Sequence, residues 1–176
     1  MTPTLEDFQQ VGRFLWEAGL VSSHGGNLSV HLPDGAVLIT RHGAMLGRIQ
    51  EGDLVTVQAD GRADGDPSID TPLHRAVYDE TDARAVVHAH PRHAIALSLV
   101  RRAIEPQDLE GQHYLGDLIP VVTTEDLALS LVLHPIAITP GHGSYARGDS
   151  LWQALQWTSV LEESAQVLCL LCGLSG

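Results

Sequence analysis

The sequence predicts an α/β fold in which a mixed sheet is layered by helices. Short runs rich in β-branched and aliphatic residues alternate with amphipathic stretches at helical spacing. Tight turns occur beside longer crossover-like connections, which argues against an all-parallel dinucleotide-binding sheet. The run Ala85-Val86-Val87-His88-Ala89-His90 passes directly into a helix begun by Pro91. At 176 residues, with no repeat, low-complexity tract or linker, the chain reads as one domain over 1–176.

Thr4 is placed to cap a first helix in which Leu5, Phe8, Val11, Leu15 and Trp16 share a face; it ends near Gly19. Strands are expected at 27–32, 36–40 and 54–58, the first two joined through Pro33-Asp34-Gly35. Thr71-Pro72 opens a helix with Leu73, Val77 and Tyr78 on its apolar side. The strand 85–90 follows, then a helix to about Val100, and a looser stretch from Asp108 to Tyr114. A strand at 119–122, a short helix to about Leu133 and a strand at 136–139 lead to the turn Pro140-Gly141-His142-Gly143. Asp149 or Ser150 begins a long final helix that buries Leu151, Leu155, Val160, Leu161, Ala165 and Leu168.

Charge and composition narrow the function. A net charge of −12 with only ten Lys and Arg opposes a phosphate backbone, so no nucleic-acid partner is expected. No apolar run reaches the ~18 residues of a membrane span. The opening Met1-Thr2-Pro3-Thr4 lacks a charged-then-apolar leader. A cytoplasmic location is expected. Cys169 and Cys172 lie at i, i+3 in an apolar helical tail, with no preceding strand and no second pair. They read as buried structural thiols rather than a redox or zinc motif.

The chemistry concentrates on the strand at 85–90. Side chains alternate along a strand, so His88 and His90 share a face, about 6–7 Å apart. Two imidazoles there can grip one transition-metal ion, and a third remote ligand would complete a tripod with an open position. Two candidates frame the pair: Asp70 with His74 upstream, and His142 downstream.

Several motifs together resemble the class II aldolase/adducin family. They are Gly26-Asn27-Leu28-Ser29, Pro67-Ser68-x-Asp70-x-x-x-His74, Val87-His88-Ala89-His90-Pro91, Gly141-His142-Gly143 and Leu161-Glu162-Glu163-Ser164-Ala165. Their order and spacing agree from about Val11 to Gln166. The resemblance implies an α/β/α sandwich, one zinc ion per chain, and a homotetramer with active sites between subunits. Position by position, it makes His88, His90 and His142 the metal ligands. It places Asp70 where aldolases of the family carry a catalytic glutamate, within an epimerase-like Asp70-Thr71-Pro72-Leu73-His74. The bland role for Asp70 is to cap the helix that follows. Phosphate binding falls to Gly26, Asn27, Gly43 and Ser68, although His42 and Ile69 replace hydroxyl residues common in the family. Arg41 or His42 could supply compensating charge. Glu110 or Tyr114 falls near a second acid/base position. Relatives often extend beyond the equivalent of Gly176 with a tyrosine, so a complete epimerase apparatus is not expected.

The resemblance implies a zinc-dependent aldolase cleaving a ketose phosphate, fuculose-1-phosphate-like, through a metal-stabilised enediolate. A sugar-phosphate epimerase or dehydratase on the same fold is the alternative, and a non-catalytic adducin-like module is a third. Three intact imidazoles argue against the last, since a binding module has no use for a tripod.

Overall fold

Strand alternation sorts the apolar side chains onto two faces of one sheet, and each face is covered by helices. The computed structural model describes residues 4–174. In chain order the elements are α1 (Leu5–Glu17), β1 (Asn27–His31), β2 (Val37–Thr40), β3 (Leu54–Val57), α2 (Thr71–Glu80), β4 (Ala85–Ala89) and α3 (Arg92–Ser98). They continue with β5 (Ala103–Ile104), α4 (Leu109–Leu115), β6 (Ile119–Pro120), α5 (Leu127–Leu133), β7 (Ile136–Thr139), β8 (Gly143–Gly148) and α6 (Leu151–Leu174). Short 3-10 turns at Leu46–Arg48 and Glu51–Asp53 lead into β3.

Six strands form the main sheet in the order β3-β2-β1-β4-β8-β7, with β5 and β6 in a separate ribbon. The layered α/β architecture is as expected. Its pairing is more regular than a mixed sheet: every strand pair is antiparallel, and the parallel contribution is one isolated bridge, Val121 to Ile138. On β4, Ala85, Val87 and Ala89 join Phe8, Val11, Leu15, Leu97, Leu161 and Ala165 in one core. Val86 joins Val77, Tyr78, Leu127, Leu131 and Tyr145 in the other. Helices α1, α3 and α6 thus cover one face, α2 and α5 the opposite one.

Thr4 caps α1 through a reciprocal box with Asp7. The stretch expected to be loose is helix α4, whose Asp108 side chain accepts from the Gly111 N–H at 2.6 Å. Strand β8 was not anticipated. Of the run expected to be a strand at 119–122, only Ile119–Pro120 forms one, paired with β5. Val121 and Val122 reach Ile138 of β7 through the isolated bridge and one backbone bond. Both cysteines are free, but the burial expected of them fails: Cys169 is half-buried and Cys172 is exposed beside Arg101, because α6 outruns the layer it packs on. Trp16 is also half exposed, at 51%. No helix among the described residues is long and apolar enough to cross a membrane. The expectations for residues 1–3 and for the end at Gly176 fall outside the described residues.

Candidate metal centre

The centre of the sheet delivers the first ligand. His88 is 1% exposed and shares its face of β4 with Val86. Its cross-strand partner Tyr145 stacks under the imidazole, ring centroids 4.1 Å apart. His88 Nδ1 lies 3.0 Å from the Ser144 carbonyl. A carbonyl only accepts, so Nδ1 carries the proton and Nε2 presents a lone pair. Burial first, and then the neighbouring His90, push the His88 pKa down to about 3. The ring therefore stays neutral and competent as a ligand.

His90 falls one residue past β4, where its backbone N–H donates to the Leu20 carbonyl at 2.7 Å. Its Nε2 lies 3.1 Å from Nε2 of His88. Two nitrogens at zinc-bond length on one tetrahedral ion would sit roughly 3.3 Å apart. The pair is thus already near bidentate spacing. His142 is exposed on the β7–β8 turn, its ring centroid 4.8 Å from that of His88. The Gly141 N–H is held there by Ser98 Oγ at 3.1 Å. One ligand atom from each of the three histidines lies within 4.8 Å of the others, a group that could hold a metal ion. Gly143 makes room for it: a Cβ there would come 2.9 Å from His88 Cε1 and 2.8 Å from His90 Cδ2.

Of the two framing candidates, His142 supplies the third imidazole. Asp70 lies at the first turn of α2, but its side chain makes no capping hydrogen bond. Its Oδ2 instead accepts from Asn27 Nδ2 at 2.7 Å and lies 3.7 Å from His88 Nε2. A carboxylate held beside the three imidazoles can exchange a proton with anything bound there. His74 is not in that group; its ring is fully buried, with Nδ1 2.6 Å from Ser29 Oγ.

The four residues assigned to phosphate meet at the same end of β1 and β2. Gly26 has φ +78, and a Cβ there would approach the His88 carbonyl to 2.7 Å. Gly43 turns the 41–44 loop with open space around it. Ser68 N–H donates to the Thr40 carbonyl, and its Oγ accepts from the Asp70 N–H at 3.3 Å. The Asn27 amide nitrogen is engaged by Asp70. Arg41 is tied to Asp53 at 2.7 Å, while His42 is exposed. Glu110 and Tyr114 are exposed on α4, where Tyr114 approaches Trp157 on α6 and His113. Neither joins the histidine cluster within one chain, among the described residues.

Sequence reasoning missed four supports: Tyr145, the Ser144 carbonyl, Ser98, and Glu162. Pro91, at the cap of α3, has no side-chain acceptor. The Glu162 carboxylate takes that place, accepting from the His93 and Ala94 N–H groups and from His93 Nδ1. It clamps the turn immediately after His90. Glu162 appeared in the sequence only as part of an acidic helical motif, and the strand pairing that brings Tyr145 to His88 leaves no local signal.

Similarity to known proteins agrees with this geometry. The family described as Class II Aldolase and Adducin N-terminal domain matches residues 6–169. A methylthioribulose-1-phosphate dehydratase of Methylococcus capsulatus is 34% identical, the match covering 87% of this chain and 86% of that protein. A 3-oxo-tetronate 4-phosphate decarboxylase of Haemophilus influenzae is 31% identical over 93% of this chain and 86% of its own. The crystal structure of L-fuculose-1-phosphate aldolase from Thermus thermophilus superposes with a TM-score of 0.92 at 38% identity, covering 98% of this chain and 95% of that one. The chain belongs to the class II aldolase and adducin family.

Proposed function

We propose that this protein is a zinc-dependent aldolase that cleaves a ketose phosphate, with the ion held by His88, His90 and His142. The observation that carries the proposal is the Asp70 carboxylate, turned away from its helix and held by Asn27 beside His88. A divalent ion in the tripod would supply Lewis-acid charge to the substrate carbonyl and its neighbouring hydroxyl. Asp70 takes the proton from the hydroxyl at the bond to be broken. The carbon–carbon bond then opens, that carbon leaves as an aldehyde, and the electron pair passes toward the carbonyl side. Imidazole ligands carry no negative charge, so they would leave the positive charge of the ion undiluted. The Gly26-Asn27 turn, Gly43 and Ser68 are assigned to the substrate phosphate. Glu110 or Tyr114 is assigned to the second proton transfer, from a neighbouring chain of a homotetramer, since neither reaches the cluster of its own chain.

Dehydration is the second reading, favoured by the 34% identity to a dehydratase. Aldol cleavage, dehydration and decarboxylation beside a carbonyl all develop negative charge on that oxygen, so one tripod serves each of them. The test is zinc-loaded protein incubated with a panel of ketose 1-phosphates, following aldehyde release and product mass. Aldehyde release supports the aldolase. A product lighter by one water, without aldehyde, replaces it with the dehydratase, and zinc-loaded protein inert toward the whole panel refutes it.

A further inference from the structure

Two of the three candidate ligands lie beyond the strand pairing that aims the first. The β4–β8 ladder runs from Ala85 paired with Gly148 to Ala89 paired with Ser144. His90 follows that last pair on one strand, and His142 precedes β8 on the turn from β7. Strand register therefore fixes His88, but not the gap between His90 and His142, whose ring centroids are 5.9 Å apart. Helix α3 spans that gap. It begins two residues after His90, where the Glu162 carboxylate accepts from the His93 and Ala94 N–H groups. At its last residue, Ser98 is 4% exposed, and its Oγ accepts from the Gly141 N–H at 3.1 Å. The Ser98 hydroxyl donates its own proton to the Ile95 carbonyl at 2.7 Å, so the oxygen turns a lone pair toward Gly141.

The turn has one soft joint, and this bond sits on it. The His142 N–H donates to the Thr139 carbonyl at 3.1 Å across Pro140 and Gly141, and Gly141 has φ +68. Proline at the second position and a left-handed glycine at the third make a type II turn. A type I turn differs by roughly half a revolution of the peptide that joins those two residues. Pro-Gly is compatible with both forms, so the turn's own sequence leaves the joint open. The rotation would carry the Gly141 N–H away from Ser98. Gly141 and His142 are both exposed, so burial does not hold the turn either.

We propose that Ser98 is a positioning residue for His142: its hydroxyl locks the Pro140–Gly141 peptide and ties the third imidazole, through α3, to the helix start behind His90. His88 and His90 already present nitrogens 3.1 Å apart. The lock sets the third ligand beside that pair before any ion arrives. A ligand held in place beforehand loses less freedom on coordination, and partners outside the ligand set strengthen metal binding in this way. The link to metal rests on the histidine tripod of the proposed function; the lock on the turn does not.

The two parts are tested separately. In metal-free protein the Gly141 amide should exchange slowly with solvent, and Ser98→Ala should release it without changing the helix content. Water reaches the exposed turn and takes up the freed N–H. A Gly141 amide that exchanges equally in both proteins overturns the lock. Zinc titration against a competing chelator then compares wild type, Ser98→Ala, His142→Ala and the double variant. Ser98→Ala should weaken binding about 10-fold, and Ser98→Thr, which keeps the hydroxyl, should restore it. In the His142→Ala background Ser98→Ala should have no effect, since no third imidazole remains to be placed. Equal losses in both backgrounds mark a general structural defect and overturn the positioning role, as does wild-type affinity in Ser98→Ala. If His142→Ala binds zinc as tightly as wild type, the tripod and the proposed function fail, and the amide exchange still decides the lock.

Discussion

Asn27 Nδ2 donates a 2.7 Å hydrogen bond to Asp70 Oδ2 across the gap between β1 and the start of α2. The bond joins residues 43 positions apart and fixes which way the carboxylate faces. Without it Asp70 could turn back and cap its own helix, as its position invites. The relationship ties a turn assigned to phosphate to a carboxylate assigned to proton transfer.

Asp70→Asn should fold, retain its metal and lose turnover by on the order of 10²–10⁴-fold. The amide keeps the shape and removes the proton acceptor. Near-wild-type kcat on a confirmed substrate would leave Asp70 with a purely structural part.

Metal analysis of purified, zinc-loaded protein should find about one divalent ion per chain. His88→Ala should abolish that content, since His88 stands between the other two imidazoles. Undiminished zinc in the variant would show that the ion sits elsewhere.

Gly143→Ala places a methyl 2.4 Å from the Ala89 carbonyl and under 3 Å from two ligand rings. Backbone and both histidines must shift. Zinc binding should weaken at least 10-fold, with a stability loss of about 1–3 kcal/mol. Isothermal titration and urea unfolding check the two effects, and a variant that binds zinc as wild type does would contradict the close approach.

Metal-free protein should lose stability as the pH falls from about 6.5 toward about 3. His74 and His88 both have folded-state pKa values of about 3, lowered chiefly by burial from the ordinary 6.5. Across that window the unfolded chain binds more protons than the folded one, so acid favours unfolding. The contribution of the two groups is fully present above the unfolded pKa and lost as the pH falls through the folded one. Each contributes a slope of up to ~1.4 kcal/mol per pH unit. Urea midpoints that stay flat from pH 7 to pH 4 in chelator would contradict this.

Light scattering at micromolar concentration should report about four chains per particle, the closed assembly proposed for this protein. A monomer that turns over substrate would remove the case for Glu110 or Tyr114 acting from a neighbouring chain.

The strand at 85–90, the capped first helix and the helix after Thr71-Pro72 were legible because each carries a local signal. Val86 and Val87 declare a strand, Thr4 a cap, and Pro72 a helix start. Strand β8 carries none: Gly-Ser-Tyr-Ala-Arg-Gly has no β-branched residue, and it is a strand because β4 and β7 flank it. Helix α4 was obscured by Gly111, which there allows close packing against Ser164. The histidine cluster was readable from spacing and resemblance. Its supports were not, since the bonds from Ser98, Ser144 and Glu162 span 43, 56 and 69 positions. Cys172 was misread because an apolar helix end does not reveal where the layer beneath it stops.

The hydrogen bond from His88 to the Ser144 carbonyl makes the ligand's orientation indifferent to what residue stands at 144. Any amino acid supplies that oxygen, although the fully buried side chain of Ser144 leaves room only for a small one. What the arrangement cannot tolerate is slippage. A shift of β8 by one residue along β4 would trade the carbonyl for an N–H and swing Tyr145 to the opposite face. The site therefore depends on the lengths of the two turns that bracket β8 more than on the chemistry of the side chain at 144. An insertion or deletion there would blind the site more surely than most substitutions within it.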